Sequence, residues 1–94
     1  MAELQEDKPR RLLYTELDAQ RVLFGLADKL AATVLQLAPV VALSPDRVHE
    51  MLERLQEVGL VESKGPGIGP YSGVYSLTLQ GVRYARELRT TKAS

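Results

Sequence analysis

Chemistry in this chain must be built from few reactive side chains. His49 is its one histidine, and it has no cysteine. Thiol nucleophiles, disulfides and cysteine-based zinc sites are therefore excluded, and no Ser-His-Asp or Cys-His arrangement can be argued. His49 and Glu53 stand at i and i+4, a helical spacing that can hold a metal. Two ligands without a third make an ordinary surface pair, so no metal is expected. The stretch Gly65-Pro66-Gly67-Ile68-Gly69-Pro70-Tyr71-Ser72-Gly73 is glycine-rich in the manner of a phosphate loop. No Gly-x-Gly-x-x-Gly run opens a helix there and no Lys-Ser/Thr follows, so it reads as a hairpin tip. Neither an enzyme nor a cofactor is expected.

What remains is recognition, and charge decides what can be recognised. Twelve basic residues balance twelve acidic ones over 94 residues, so there is no global attraction to nucleic acid. The balance is local. From Ser44 to Glu62, Arg47 and Arg54 face five acids (Asp46, Glu50, Glu53, Glu57, Glu62), a net of −3. From Leu79 to Ser94, Arg83, Arg86, Arg89 and Lys92 face Glu87, a net of +3. Lys8, Arg10 and Arg11 form a smaller basic cluster. Separated poles on a neutral chain suit self-association or an oriented partner as well as DNA. The start, Met1 to Lys8, lacks the apolar core of a signal peptide, and no run approaches a membrane span. A cytoplasmic location is expected.

The elements that must position these residues follow from periodicity, in one domain. Residues 1–11 are polar and aperiodic and read as a flexible N-terminal arm. Residues 12–89 read as the folded domain, and 90–94 as a polar tail. Thr15 can cap a helix whose Ala19, Val22, Leu23, Leu26, Ala27 and Leu30 share one arc. Thr33 can cap a second helix carrying Val34, Leu37, Ala38 and Val41, although Pro39 sits awkwardly inside it. One long helix over 16–38, stopped by Pro39, is an open alternative. Ser44 and Pro45 make a clean N-cap and first position, and Val48, Met51, Leu52, Leu55 and Val58 recur at helical spacing. Gly59 supplies the left-handed ending. Leu60 to Lys64 and Val74 to Leu77 read as strands, and Thr78 caps a last helix with Gly81, Val82, Tyr84, Ala85 and Leu88 on its apolar face.

Helix, turn, helix, hairpin, helix is the order of an α+β, mainly helical, winged helix-turn-helix. Val22 to Val61 resembles the core of MarR-type regulators, and Leu55-Gln56-Glu57-Val58-Gly59-Leu60-Val61 resembles their ending before the wing. Tyr75-Ser76-Leu77-Thr78-Leu79-Gln80-Gly81 resembles a passage of MarR and PadR proteins. The resemblance implies a DNA-binding transcriptional regulator with a recognition helix at about 45–58 and a wing at about 60–77. It places Ser44, Pro45, Arg47, His49, Glu50 and Arg54, with Lys64 at the wing base, toward double-stranded DNA. The chain departs from the family in having Leu30-Ala31-Ala32 where Gly or Pro usually stands, and in an uncharged wing tip. Leu12, Leu13, Tyr14, Tyr84 and Leu88 exceed what one small core needs and are expected to form a homodimer contact. The acidic recognition helix leaves open a winged helix that contacts a protein and not DNA.

Overall fold

The structure, a computed structural model, describes residues 7–65 and 71–93. Its elements are α1 (Lys8–Thr15), α2 (Leu17–Lys29), β1 (Ala31–Thr33), α3 (Val34–Val41), α4 (Pro45–Glu57), β2 (Val61–Gly65), β3 (Val74–Leu77) and α5 (Leu79–Ala93). The α+β winged helix-turn-helix order is present, with α1 and β1 added to it.

Helix α1 corrects the expected arm. Asp7 accepts a hydrogen bond from the Arg10 amide at 3.1 Å and caps the helix. Pro9 falls in the first turn, where its missing donor is harmless. Lys8 to Arg11 are therefore helical, while residues 1–6 of that arm lie outside the described residues. Thr15 does not cap α2. Its hydroxyl donates back to the Arg11 carbonyl at 2.8 Å, and Glu16 takes the cap position.

Residues 16–38 form two helices. Leu30 ends α2 at φ +72°, and Ala31–Thr33 turn into a strand. Leu30 is consequently 79% exposed and leaves the apolar arc on which a helical wheel puts it. Thr33 then opens α3 through a reciprocal capping box. Its hydroxyl accepts from the Gln36 amide at 3.1 Å, and the Gln36 side chain accepts from the Thr33 amide at 2.9 Å. With that start secured, α3 runs through Pro39 to Val41.

The core sits where α2, α3 and α4 meet. Val22, Leu23 and Leu26 of α2, Leu37 of α3, and Val48, Met51, Leu52 and Leu55 of α4 are fully buried. The three strands form an antiparallel sheet in the order β1-β3-β2. Val61 faces Leu77, Glu62 faces Ser76 and Ser63 faces Tyr75, with a register irregularity before Gly65. The expected hairpin tip falls largely on residues 66–70, outside the described residues. Thr78 ties the hairpin to the last helix. Its hydroxyl donates to the Gly59 carbonyl at 2.6 Å and accepts from the Gly81 amide at 3.0 Å. Helix α5 then continues to Ala93, so 90–93 are helix and not a tail.

Helix α1 packs on α2 and α4 and is tied to α5 by side chains, and burial within the one chain corrects two expected dimer residues. The Tyr84 hydroxyl donates to Asp7 at 2.8 Å, Arg10 pairs with Glu87, and the Arg10 guanidinium lies 5.3 Å from the Tyr84 ring centre. Leu13 and Leu88 are buried in the core of the single chain. Leu12 and Tyr84 are half-buried against it, and Tyr14 alone of the five is exposed.

Candidate functional site

The site to test is the outer face of α4, which the turn at Ala42 to Ser44 projects beyond α3. Ala42 takes the left-handed conformation, and the Ser44 hydroxyl accepts from the Arg47 amide at 3.2 Å. Pro45 occupies the first turn. The start of α4 is thus firmly built, and the Ser44 hydroxyl is engaged within it.

Charge on this face is organised by Arg47. Its Nε donates to Asp18 at 2.8 Å, one terminal nitrogen to Glu50 at 3.0 Å and the other to Glu16 at 3.0 Å. These bonds, Asp18's foremost and then Glu50's, hold the guanidinium pKa above its already high ordinary value. Arg54 lies 3.4 Å from Glu50 and 3.7 Å from Glu16. Both arginines of α4 therefore face carboxylates of their own chain. Asp46, Glu50, Glu53 and Glu57 are all exposed, four carboxylates against two guanidinium groups on one helix. Lys64, at the wing base, lies 3.8 Å from Glu62.

His49 is packed between helix and wing. Its Nε2 is 3.3 Å from Glu53, and its ring centre is 5.4 Å from that of Tyr71. Its Nδ1 is buried without a hydrogen-bond partner. Tyr71 itself stands at φ +63°, and its hydroxyl donates to Asp46. No group of three metal-binding side chains occurs among the described residues.

The structure thus brings Arg47, Glu50 and Arg54 together beside Glu16, sets His49 and the Pro45 end of α4 beside Tyr71, and leaves Lys64 on β2. Sequence reasoning missed Glu16 and Asp18. Both read as ordinary first-turn carboxylates, and no local pattern signals a pairing across 31 and 29 residues. It also missed the bond from Tyr71 to Asp46, which joins residues 25 apart and leaves no local pattern.

Solved structures of similar fold are known. A doubly substituted form of ZitR from Lactococcus lactis matches with a TM-score of 0.71 at 27% identity, over 83% of this chain and 53% of that one. A MarR family regulator from Neisseria meningitidis matches with a TM-score of 0.70 at 24% identity, over 81% of this chain and 54% of that one. The chain is a MarR-like winged helix. It spans about half the length of these two structures. A protein from Ralstonia eutropha, named as a candidate DNA-binding protein, is closer in length. It matches with a TM-score of 0.69 at 23% identity, over 78% of this chain and 95% of that one. No protein-family model matches the sequence, and no curated protein does. No helix of this MarR-like domain, among the described residues, is long and apolar enough to cross a membrane.

Proposed function

We propose that the chain is the DNA-binding domain of a transcriptional regulator, with α4 entering the major groove and the β2–β3 wing lying beside it. The observation that carries this reading is the projection of α4 from a MarR-like winged helix with the wing against its N-terminal half. ZitR is named as a zinc-responsive MarR family member, which supports the regulator class without extending its metal to this chain. Contact with paired half-sites takes two copies, so the reading includes a homodimer. Its contact cannot use Leu13 or Leu88, whereas Tyr14 and Leu17 are exposed together at the junction of α1 and α2.

Charge sets the terms. Each phosphate contact releases about one counterion, so a helix whose arginines are already paired gives a shallow salt dependence and weak nonspecific binding. The test is fluorescence anisotropy with a labelled duplex library at low and moderate salt. Glu50→Gln with Glu53→Gln should raise nonspecific affinity by relieving repulsion. If the double variant binds duplex no better than the parent, α4 is not the DNA-facing surface.

A protein contact through the same face is a second reading, favoured by one observation. Glu50, Glu53 and Glu57 line an open groove together with Arg54, Leu12 and Val58. Three carboxylates against one guanidinium suit a basic partner segment better than a polyanion.

A further inference from the structure

Tyr71 holds an unfavourable backbone conformation where the strand ladder gives it no support. Its φ of +63° lies in the left-handed region, which residues with a Cβ avoid. Gly69 and Gly73 stand two residues to either side, yet the left-handed position itself carries tyrosine. It lies three residues before Val74, which pairs with Gly65 in the last rung between β2 and β3. Its side chain supplies the anchor that the ladder does not. The hydroxyl donates to Asp46 in the first turn of α4, and the ring lies tilted at 54° to that of His49. The His49 Nε2 faces Glu53 and its Nδ1 has no hydrogen-bond partner, so Tyr71 meets His49 ring against ring. A strained residue persists where its surroundings over-determine it, and such residues cluster at sites that a function needs fixed.

The spacing on α4 explains why this anchor falls where it does. Arg47, Glu50 and Arg54, at i, i+3 and i+7, form one stripe, and both arginines meet Glu16 on the side of α2. Asp46 and His49, at i and i+3, belong to a second stripe that meets Tyr71, and Glu53 extends it at i+7. The first stripe fastens α4 to the helical core and the second fastens it to the wing. At the wing base, Leu60 and Val61 are buried, and the Thr78 hydroxyl donates to the Gly59 carbonyl at 2.6 Å. Tyr71 adds a fixed point beyond that base, at the opposite end of α4 from Gly59.

We propose that Tyr71 is a positioning residue for duplex DNA, fixing the return limb of the wing to the first turn of α4 and so setting the spacing between the two parts that meet the duplex. The role rests on the DNA reading of this domain. Contacts to the sugar-phosphate backbone fix orientation, and contacts to base edges carry sequence. A wing held at one distance from α4 reaches the backbone only when α4 is seated in one register, so its contact adds to discrimination among sequences. A wing released from α4 follows the backbone in any register and adds to nonspecific binding alone.

Nuclear magnetic resonance on the full chain reads the contact itself. His49 is the one histidine, so its ring protons are identified directly. The parent should show a nuclear Overhauser peak between the His49 and Tyr71 rings. Tyr71→Phe keeps the ring and loses the hydroxyl, and the peak should fall severalfold. Asp46→Ala should do the same, whereas Asp46→Asn keeps an oxygen that accepts, and the peak should persist. Duplex binding reads the consequence, well below the thermal midpoint so that stability alone does not alter it. The probes are the tightest duplex that the parent selects from a random library and an unselected duplex. Tyr71→Phe and Asp46→Ala should each lower the preference for the selected duplex by about fivefold or more, and Asp46→Asn should keep it. Circular dichroism checks folding. Tyr71→Gly suits the left-handed backbone, stands in for a variant that does not fold, and should lose the preference too. An unchanged Overhauser peak in Tyr71→Phe, or an unchanged preference in a variant that has lost the peak, would overturn the proposal. A parent that selects no duplex refutes the DNA reading and the positioning role with it. A parent that selects a duplex which Tyr71→Phe prefers equally refutes the positioning role alone.

Discussion

Gly81→Ala should destabilise the domain although it replaces glycine by the best helix former. An alanine within α5 gains up to about 1 kcal/mol in propensity. Its methyl group, however, would stand 2.0 Å from the Leu60 carbonyl oxygen, 3.0 Å from that carbonyl carbon and 3.3 Å from the Leu77 Cβ. None of these atoms is the end of a flexible side chain. The Leu60 oxygen is moreover fixed by the Thr78 amide at 3.0 Å, and the Gly81 amide by the Thr78 hydroxyl at 3.0 Å. Relief requires α5 to move away from the start of β2. Overpacking of this kind costs about 1–3 kcal/mol and occasionally more, and a backbone clash falls at the upper end. The net loss should be about 2 kcal/mol, or roughly 8–16 °C in the thermal midpoint of a domain this size. Gly25→Ala is the internal comparison. Its methyl would meet Val41 Cγ1 at 2.7 Å, a side-chain atom at the end of α3. That variant should stay within about 1 kcal/mol of the parent, since helix propensity offsets the smaller strain. Urea unfolding followed by far-ultraviolet circular dichroism measures both. A Gly81→Ala protein as stable as Gly25→Ala would refute the argument that α5 and β2 meet through backbone at this point.

Two other expectations follow from burial and from charge. Leu52→Ala and Leu55→Ala should each cost about 2–5 kcal/mol, because both side chains are fully buried, and equilibrium unfolding would show it. The Asp7 carboxyl is held below its ordinary value, first by the Arg10 amide and then by the Tyr84 hydroxyl. A depressed folded value contributes stability that is present above the unfolded value, about 3.9, and is lost as pH falls through the folded one. Asp7→Asn should therefore remove part of the acid dependence of unfolding below about pH 4, and acid titration of parent and variant would reveal two parallel curves if Asp7 has no such role.

The fold was legible where local chemistry and periodicity agree. Ser44 and Pro45, Gly59, and Thr78 each mark a boundary by a mechanism that acts within a few residues, and all three appear as read. Apolar spacing likewise found the buried face of α4. The failures have a common cause. Nothing near Leu30 demands a left-handed residue, so the break before β1 is imposed by pairing Ala31–Thr33 with Val74–Ser76, more than forty residues away. The arm reads as flexible because its residues are polar and aperiodic, whereas Asp7 and Pro9 suit a helix start. Leu13 and Leu88 read as outward because the sequence does not announce α1 as a helix packed on α2 and α4, nor α5 as packed on α2.

Arg47 shows most clearly why a residue type at a family position does not fix its role. A guanidinium has five N–H donors, and here donors on all three nitrogens reach three different carboxylates. Two of those, Glu16 and Asp18, flank the start of α2, so Arg47 clamps α4 to the helix it packs on. To reach a base it would have to leave both, exposing two unpaired carboxylates beside the phosphates. Clamp and reader are alternative states of this side chain. Arg47→Ala should then lower the stability of the domain and make the loss from Asp18→Ala smaller in its presence than in the parent, the coupling that a double-mutant cycle isolates. Preference among duplex sequences should not change. Additive losses from the two substitutions, together with relaxed base preference in Arg47→Ala, would show instead that Arg47 leaves its carboxylates and reads DNA.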